Sequence, residues 1–344
     1  MKKTQVALAA LALMASTAAL ADGVSAYGTV DVGAIAADSG RVQMAGAGNN
    51  SATLIGFRGT EDLGNGLKAS FNYEAGLNAK NGSLGNGGNL STTSVMNRNA
   101  NVSLSTDTYG VTLGLQISPF IVGELTGATA VGGNGAFVPG LYVLNGGNLA
   151  GVTTAATGGT GGFFVPDAVN VNASVAGVAV NVMTRMGGGG SAESTYSAAS
   201  AGTTLADINV NYAYQKISTA GIITTNNVIS ANYQFGDIRI NGAYASNSIT
   251  GVDNKGSYIG ASMPLNAAVS VGFTYARNSL STIDNVRVAS AEYKMSKRTY
   301  AYLNYAMFGN SAMGVYANDQ GRYSTATGGT VTESLIMVGL SHSF

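Results

Sequence analysis

Apolar and polar side chains alternate with a period of two in one segment of this chain after another. In 270–278, Val271, Phe273 and Tyr275 alternate with Ser270, Gly272 and Thr274. In 334–344, Ile336, Val338, Leu340 and Phe344 share one face, while Gly339, Ser341 and Ser343 share the other. Asn209, Asn211, Ala213 and Gln215 oppose Val210, Tyr212 and Tyr214. Such alternation predicts β-strands with one apolar face and one polar or small face. Short turns are expected at Leu63–Gly66, Asp107–Gly110, Ala176-Gly177, Gly236-Asp237, Leu265-Asn266 and Ser296-Lys297. Long, Gly-rich polar connections alternate with them, at Asp38–Asn50, Asn78–Thr93, Ile117–Asp167, Lys216–Asn226 and Gly309–Thr330. Counting gives sixteen strands, provided Ser191–Ala201 supplies one crossing and turns at Gly202–Thr204; otherwise the later hairpins would point the wrong way.

The first residues read differently. Lys2 and Lys3 precede the apolar run Val6–Leu20 and the small-residue site Ala19-Leu20-Ala21, which is the pattern of a secretory signal peptide over residues 1–21, cleaved before Asp22. The exported part, residues 22–344, has no stretch of eighteen or more consecutive apolar residues, as a transmembrane helix needs. It contains no Cys, so no disulfide framework can hold it together. Charged residues are 10% of the chain and Gly is 49 of 344. Without Lys2 and Lys3 the balance is 17 − 2 = 15 basic against 17 acidic, near −2, with no basic patch to suggest nucleic acid. An exported chain of alternating strands, short turns on one rim and long loops on the other predicts an all-β transmembrane antiparallel barrel. With no Trp present, Tyr233, Phe235, Tyr293, Tyr300, Tyr302 and Phe344 are the expected interfacial aromatics.

Several stretches carry a resemblance as well. They are Ala26-Tyr27-Gly28-Thr29-Val30-Asp31-Val32-Gly33, the run Ile55–Ala69, Asn97-Arg98 with Val102-Ser103-Leu104, and Thr112-Leu113-Gly114. Tyr293–Thr299 and Val338–Phe344 complete the set. In this order they are similar to the general, non-specific porins of the Gram-negative outer membrane, in particular the β-proteobacterial and neisserial branch. The resemblance implies a homotrimer of sixteen-stranded barrels in the outer membrane, in contact with its lipid and lipopolysaccharide. It also implies a long third loop folded into the lumen, which places Ile117–Asp167 at the constriction. A C-terminal aromatic, here Phe344, would be the signal read by the barrel assembly machinery.

A channel performs no chemistry, so the informative residues are those that line its narrowest point. In the family, arginines on the wall face the third loop. Arg98 keeps one of these positions, whereas Leu54 and Leu115 stand where two others usually lie. Glu124 is the lone acid of 117–165, beside the apolar Phe120, and Arg185 joins the lumen wall by alternation. The pattern predicts a narrow, nearly neutral constriction that passes ions and small hydrophilic solutes with weak charge selectivity. Two other readings use the same fold: a substrate-specific channel whose third-loop aromatics form a stacking track, and a structural, adhesin-like barrel. An enzyme needs a nucleophile with its base, or clustered carboxylates. His342 is the sole histidine and lies third from the end, so no catalytic, metal or cofactor site is expected.

Overall fold

The computed structural model describes residues 23–37, 42–46, 50–85, 94–126, 163–187, 195–219, 222–249, 252–279, 285–309 and 334–344. The signal peptide expected over 1–21 lies outside them, as does most of the third loop. The strands run in chain order as β1 (Val24–Ala37), β2 (Gln43–Ala45), β3 (Leu54–Gly64), β4 (Leu67–Gly76), β5 (Asn99–Ser105) and β6 (Tyr109–Ile117). Among the described residues one helix, α1 (Pro119–Thr126), opens the third loop. There follow β7 (Phe164–Val175), β8 (Val178–Arg185), β9 (Thr195–Leu205), β10 (Ile208–Thr219), β11 (Ile222–Phe235) and β12 (Ile238–Ile249). The last are β13 (Val252–Pro264), β14 (Val269–Asn278), β15 (Asn285–Lys294), β16 (Thr299–Phe308) and β17 (Ser334–Ser343).

Each strand pairs antiparallel with its chain neighbour, and β1 closes on β17 from Thr29↔Ser343 to Ala37↔Leu335. The short β2 and the longer β3 both pair with β1, so together they make one interrupted stave. The described strands therefore form a closed barrel of sixteen staves. No described helix is long and apolar enough to cross a membrane, while closure leaves no open strand edge among the described staves. Side chains alternate as the sequence pattern requires. On the outer face stand Val30, Tyr73, Val102, Ile229, Ile259, Phe273, Leu303 and Val338, all exposed; on the inner face stand Asn241, Thr274, Ser290, Asn304 and Ser341, all buried.

Tight turns hold the lower rim. Asn65 and Gly66 both take positive φ, as do Ala176 and Gly177. Two consecutive residues at positive φ make the two-residue turn whose twist matches that of paired strands. The turn between β9 and β10 is formed the same way by Ala206 and Asp207, at φ 47° and 66°, not at Gly202–Thr204. Strand β9 accordingly runs to Leu205, and Gly202 is a paired strand residue opposite Asn211. The expected loop Lys216–Asn226 is also corrected. Lys216 pairs with Thr225 and Thr219 with Ile222, so β10 and β11 continue almost to their joint.

The aromatic positions divide in two. Tyr233, Phe235, Tyr293 and Phe344 lie outward near the lower rim. Tyr300 and Tyr302 point into the lumen instead, in register with Ser341 and Gly339. Phe344 closes the seam: its N–H donates to the Gly28 carbonyl at 3.0 Å, and the Gly28 N–H donates back at 3.2 Å. The Phe344 ring lies where a side chain at position 28 would be, with an added Cβ 2.4 Å from the ring. Deleting Phe344 removes both bonds at the seam and the ring that covers Gly28. Outer-membrane levels of the truncated chain should fall several-fold while the exported, periplasmic pool does not. Wild-type levels of folded barrel in membrane fractions would overturn this.

Candidate functional site

Two inward segments narrow the lumen from opposite sides. The first is α1. Ser118 caps it, its Oγ accepting from the Phe120 N–H at 3.0 Å, and Pro119 fills the first helical position, where a missing N–H costs nothing. The helix lies on the inner wall of β9, β10 and β11. Ser230 donates to the Gly123 carbonyl at 2.6 Å and Asn232 to the Thr126 carbonyl at 3.0 Å, so the wall satisfies carbonyls the helix end leaves open. Ser118 Oγ bonds the Tyr196 hydroxyl, which donates to Gln215 Oε1 at 3.0 Å. Gly123 is required by this contact, since a Cβ there would lie 2.5 Å from Asn211 and 2.6 Å from Ala213. Phe120 and Glu124 are buried in the packing between helix and wall. They anchor the third loop rather than present a free surface to water.

The second segment connects β2 to β3, and sequence reasoning missed it. Asp31, fully buried on the inner face of β1, accepts from the backbone N–H groups of Asn50 at 3.2 Å and Ser51 at 2.8 Å. Its other oxygen accepts from the Tyr302 hydroxyl at 2.7 Å. Tyr302 reaches it by crossing Gly339 and Gly33, where any side chain would obstruct the ring or hydroxyl. Asn50 donates to Glu292 at 2.8 Å and accepts from Asn304 at 3.1 Å, while Ser51 bonds the Tyr300 hydroxyl at 2.5 Å. The segment is thereby held on β1, β15 and β16, half the barrel's circumference away from α1. A signal was present in the sequence: Asp31 is a lone acid within a membrane-length strand, which marks a functional position by default.

Between the two segments lies the charged part of the wall. Arg98, on the bend before β5, forms an ion pair through Nε with Glu74 Oε1 of β4. The guanidinium also stacks over the Phe164 ring, 4.8 Å from its centre. Glu74 accepts in addition from the Tyr27 hydroxyl at 2.9 Å, and Arg58 stacks over the Tyr27 ring at 4.9 Å. The arginine expected at the constriction thus has Glu74 beside it, not Glu124. Leu54 shares the inner face with Thr29 and Gly76. Leu115 does not join it. It pairs with Ala100, which pairs with Tyr73, and that row is the outer face. Arg185 is on the lumen wall, little exposed, with Asp167 at 3.4 Å.

The chain matches the family model described as Gram-negative porin over residues 7–313. It is 33% identical over 128 residues to an outer membrane porin protein of Bordetella pertussis, a match that spans 32% of this chain and 32% of that protein. The barrel superposes on the anion-selective porin from Comamonas acidovorans with a TM-score of 0.68 at 22% identity, covering 93% of this chain and 99% of that one. It also superposes on the trimer form of OmpT from Vibrio cholerae, with a TM-score of 0.67 at 12% identity over 94% of this chain and 100% of the other. At these identities the structural likenesses speak for the fold, and the family match, which takes in most of the chain, speaks for kinship. The chain belongs to the Gram-negative porin family and is an outer-membrane β-barrel porin.

Proposed function

We propose that the channel of this porin passes ions and small hydrophilic solutes by passive diffusion, with width rather than charge as its main filter. The observation that carries this reading is the Arg98–Glu74 pair. Opposite charges in contact on the lumen wall largely offset each other, the neutral Leu54 adds nothing to them, and Arg58 is left as the net charge of this stretch. A bare arginine would concentrate anions, because fields focus in a low-dielectric channel. A substrate-specific channel or an adhesin-like barrel shares the fold, but of the third-loop aromatics described Phe120 is buried against the wall and Phe164 lies buried under Arg98, so neither offers a free stacking face.

The charge assignment is testable by reversal potentials in a salt gradient. Arg98→Ala leaves Glu74 uncompensated and should tip the channel toward cations. Glu74→Gln frees Arg98 and should raise anion preference, and the double variant should return close to wild type. Each single change should alter the permeability ratio on the order of twofold to fivefold at 0.1 M salt, fading at 1 M as the screening length falls to about 3 Å. Leu54→Arg should add anion preference, whereas Leu115→Arg, on the outer face, should lower folded yield instead. Indifference of selectivity to both Arg98→Ala and Glu74→Gln would sink the assignment.

The width assignment rests on Asp31. Asp31→Ala removes three acceptor contacts that hold 50–53 and Tyr302 in place, at a cost of about 3 kcal/mol, since bonds to charged groups are the stronger ones. Single-channel conductance should rise, with added flicker, while ion selectivity changes little. Conductance and noise identical to wild type would show that this segment does not bound the pore.

The same reading includes export by residues 1–21, assembly through Phe344 and association as a homotrimer. Ala26, Val30 and Val32 on the outer face of β1 offer a small, apolar surface suited to another barrel. Unheated protein in detergent should scatter light at three times the chain mass and fall to one on heating. A monomer before heating would count against the trimer.

A further inference from the structure

Most charges on the described lumen wall already have a partner within the protein. Arg98 pairs with Glu74, Arg185 with Asp167 and Lys68 with Asp107, while Asp31 holds the segment around Asn50 and Ser51. Arg239 differs. It points inward as the second residue of β12, in register with Gln234 and Ser262, just above the lower rim. Its Nε is buried with no hydrogen-bond partner among the described residues, and none of the described ion pairs includes it. The nearby end of α1 is served by Asn232 instead, whose amide donates to the Thr126 carbonyl. A permanently charged group left without a partner on a lumen wall calls for one from outside the chain.

The wall beside Arg239 ends in the opposite charge. A row of paired residues runs from Arg239 through Ser262 and Gly272 to Ser290, all on the inner face. Glu292 lies two residues from Ser290 on β15, toward the lower rim, in register with Ser270 and Tyr302. Three strand spacings of about 4.8 Å separate β12 from β15, so the two backbones stand roughly 14 Å apart. Between them the row carries only Ser262, Gly272 and Ser290, with Ser270 beside Glu292. Two long charged side chains thus border a floor of short ones. Asn50 donates to one Glu292 oxygen at 2.8 Å, which fixes the carboxylate without exhausting its roughly four acceptor sites. Lys294, the next inward residue of β15, is exposed at the mouth, where solvent screens it.

We propose that Arg239 and Glu292 form a weak binding site for short zwitterions, such as dipeptides, at the lower side of the passage between α1 and residues 50–53. The solute's carboxylate accepts from the guanidinium, whose planar donors match it, and its terminal ammonium donates to Glu292. The separation selects the ligand class. A simple anion satisfies only Arg239 and a simple cation only Glu292, whereas a molecule with its two charges several ångströms apart engages both. Weak attraction raises the local concentration of such a solute without holding it, the condition for faster passage. The site rests on the reading of the channel as a passive-diffusion pore, and it names one solute class that the pore favours.

The test uses the full-length exported chain in proteoliposomes, with solute entry at tracer concentration read by mass spectrometry. Three probes of similar size are compared: zwitterionic glycylglycine, neutral N-acetylglycinamide and anionic N-acetylglycine. In 0.1 M salt the zwitterion should enter about threefold faster than the neutral probe, the scale of two water-exposed charge contacts, and the excess should shrink in 1 M salt. N-acetylglycine should gain less than the zwitterion. Arg239→Gln and Glu292→Gln should each bring glycylglycine back toward the neutral rate, whereas Arg239→Lys should keep the preference. The neutral probe in the same vesicles corrects for folded yield, so a poorly folding variant still reports a ratio. Equal wild-type rates for the zwitterionic and neutral probes, a ratio indifferent to both Gln variants, or anion entry as fast as zwitterion entry would each overturn the proposal. Exclusion of all three probes would overturn the passive-diffusion reading, and this site with it.

Discussion

In a bilayer each backbone N–H and C=O must find a partner within the protein, because an unpaired group in hydrocarbon costs several kcal/mol. The pairing of β1 with β17 is where this chain meets that demand, since without it two staves would present open edges to lipid. Closure in turn fixes the register of every hairpin. A slip of one residue would send Asn304 and Ser290 into lipid and Leu303 and Ala289 into the lumen. The positive-φ turns at Asn65-Gly66, Ala176-Gly177 and Ala206-Asp207 hold that register locally. The bonds between Phe344 and Gly28 hold it at the seam.

Once the inner face is fixed, its polar groups must also be satisfied, and they satisfy one another. Asp31 gathers two backbone donors and a tyrosine hydroxyl, and Asn50 bridges Glu292 to Asn304. On the far wall, Ser230, Asn232, Tyr196 and Gln215 serve the helix in the same way. Small residues make this possible. Gly56 gives Tyr27 room, and Gly33 and Gly339 let Tyr302 pass to Asp31. The polar wall and the glycines are therefore one device: long side chains lie flat, and loop segments are pinned where they narrow the passage.

Period-two alternation carried most of the fold, because the bilayer and the lumen impose opposite demands on alternate residues. It carried less where those demands relax. Lys216–Asn226 resembles a loop by composition because, near the headgroups, the outer face also accepts polar residues such as Lys216 and Thr225. Ala206-Asp207 escaped notice because Ala is a poor residue for positive φ, while the nearby Gly202 looked the better turn. Tyr300 and Tyr302 read as interfacial aromatics because alternation gives two faces without saying which is inner when small residues occupy the other. At the site, Arg98 was legible from its neighbours in the chain. Glu74 was not, since its distance from Arg98 is a matter of strand pairing that no short window contains. Leu115 was misplaced for a different reason. It was placed by likeness to the family's motif, whereas alternation sets it on the outer face with Leu113 and Val111.

Arg58, Tyr27, Glu74, Arg98 and Phe164 alternate as cation, ring, anion, cation and ring along one part of the wall. Glu74 offsets one of the two arginines in this order, so the stretch carries a single net positive charge rather than a ladder of them. At an effective dielectric near 20, opposite charges about 4 Å apart attract by about 4 kcal/mol, more than a passing ion at twice that distance can offer either of them in screened solution. The pair stays together as solutes pass, and the rings hold both arginine planes against the wall. A free arginine would do the reverse: it would reach into the passage, collect counter-ions and make permeability depend on salt. On the reading proposed above, with Arg98 turned on Glu74, the opening left between α1 and residues 50–53 filters chiefly by size, and that size depends on hydrogen bonds rather than on the ionic strength outside.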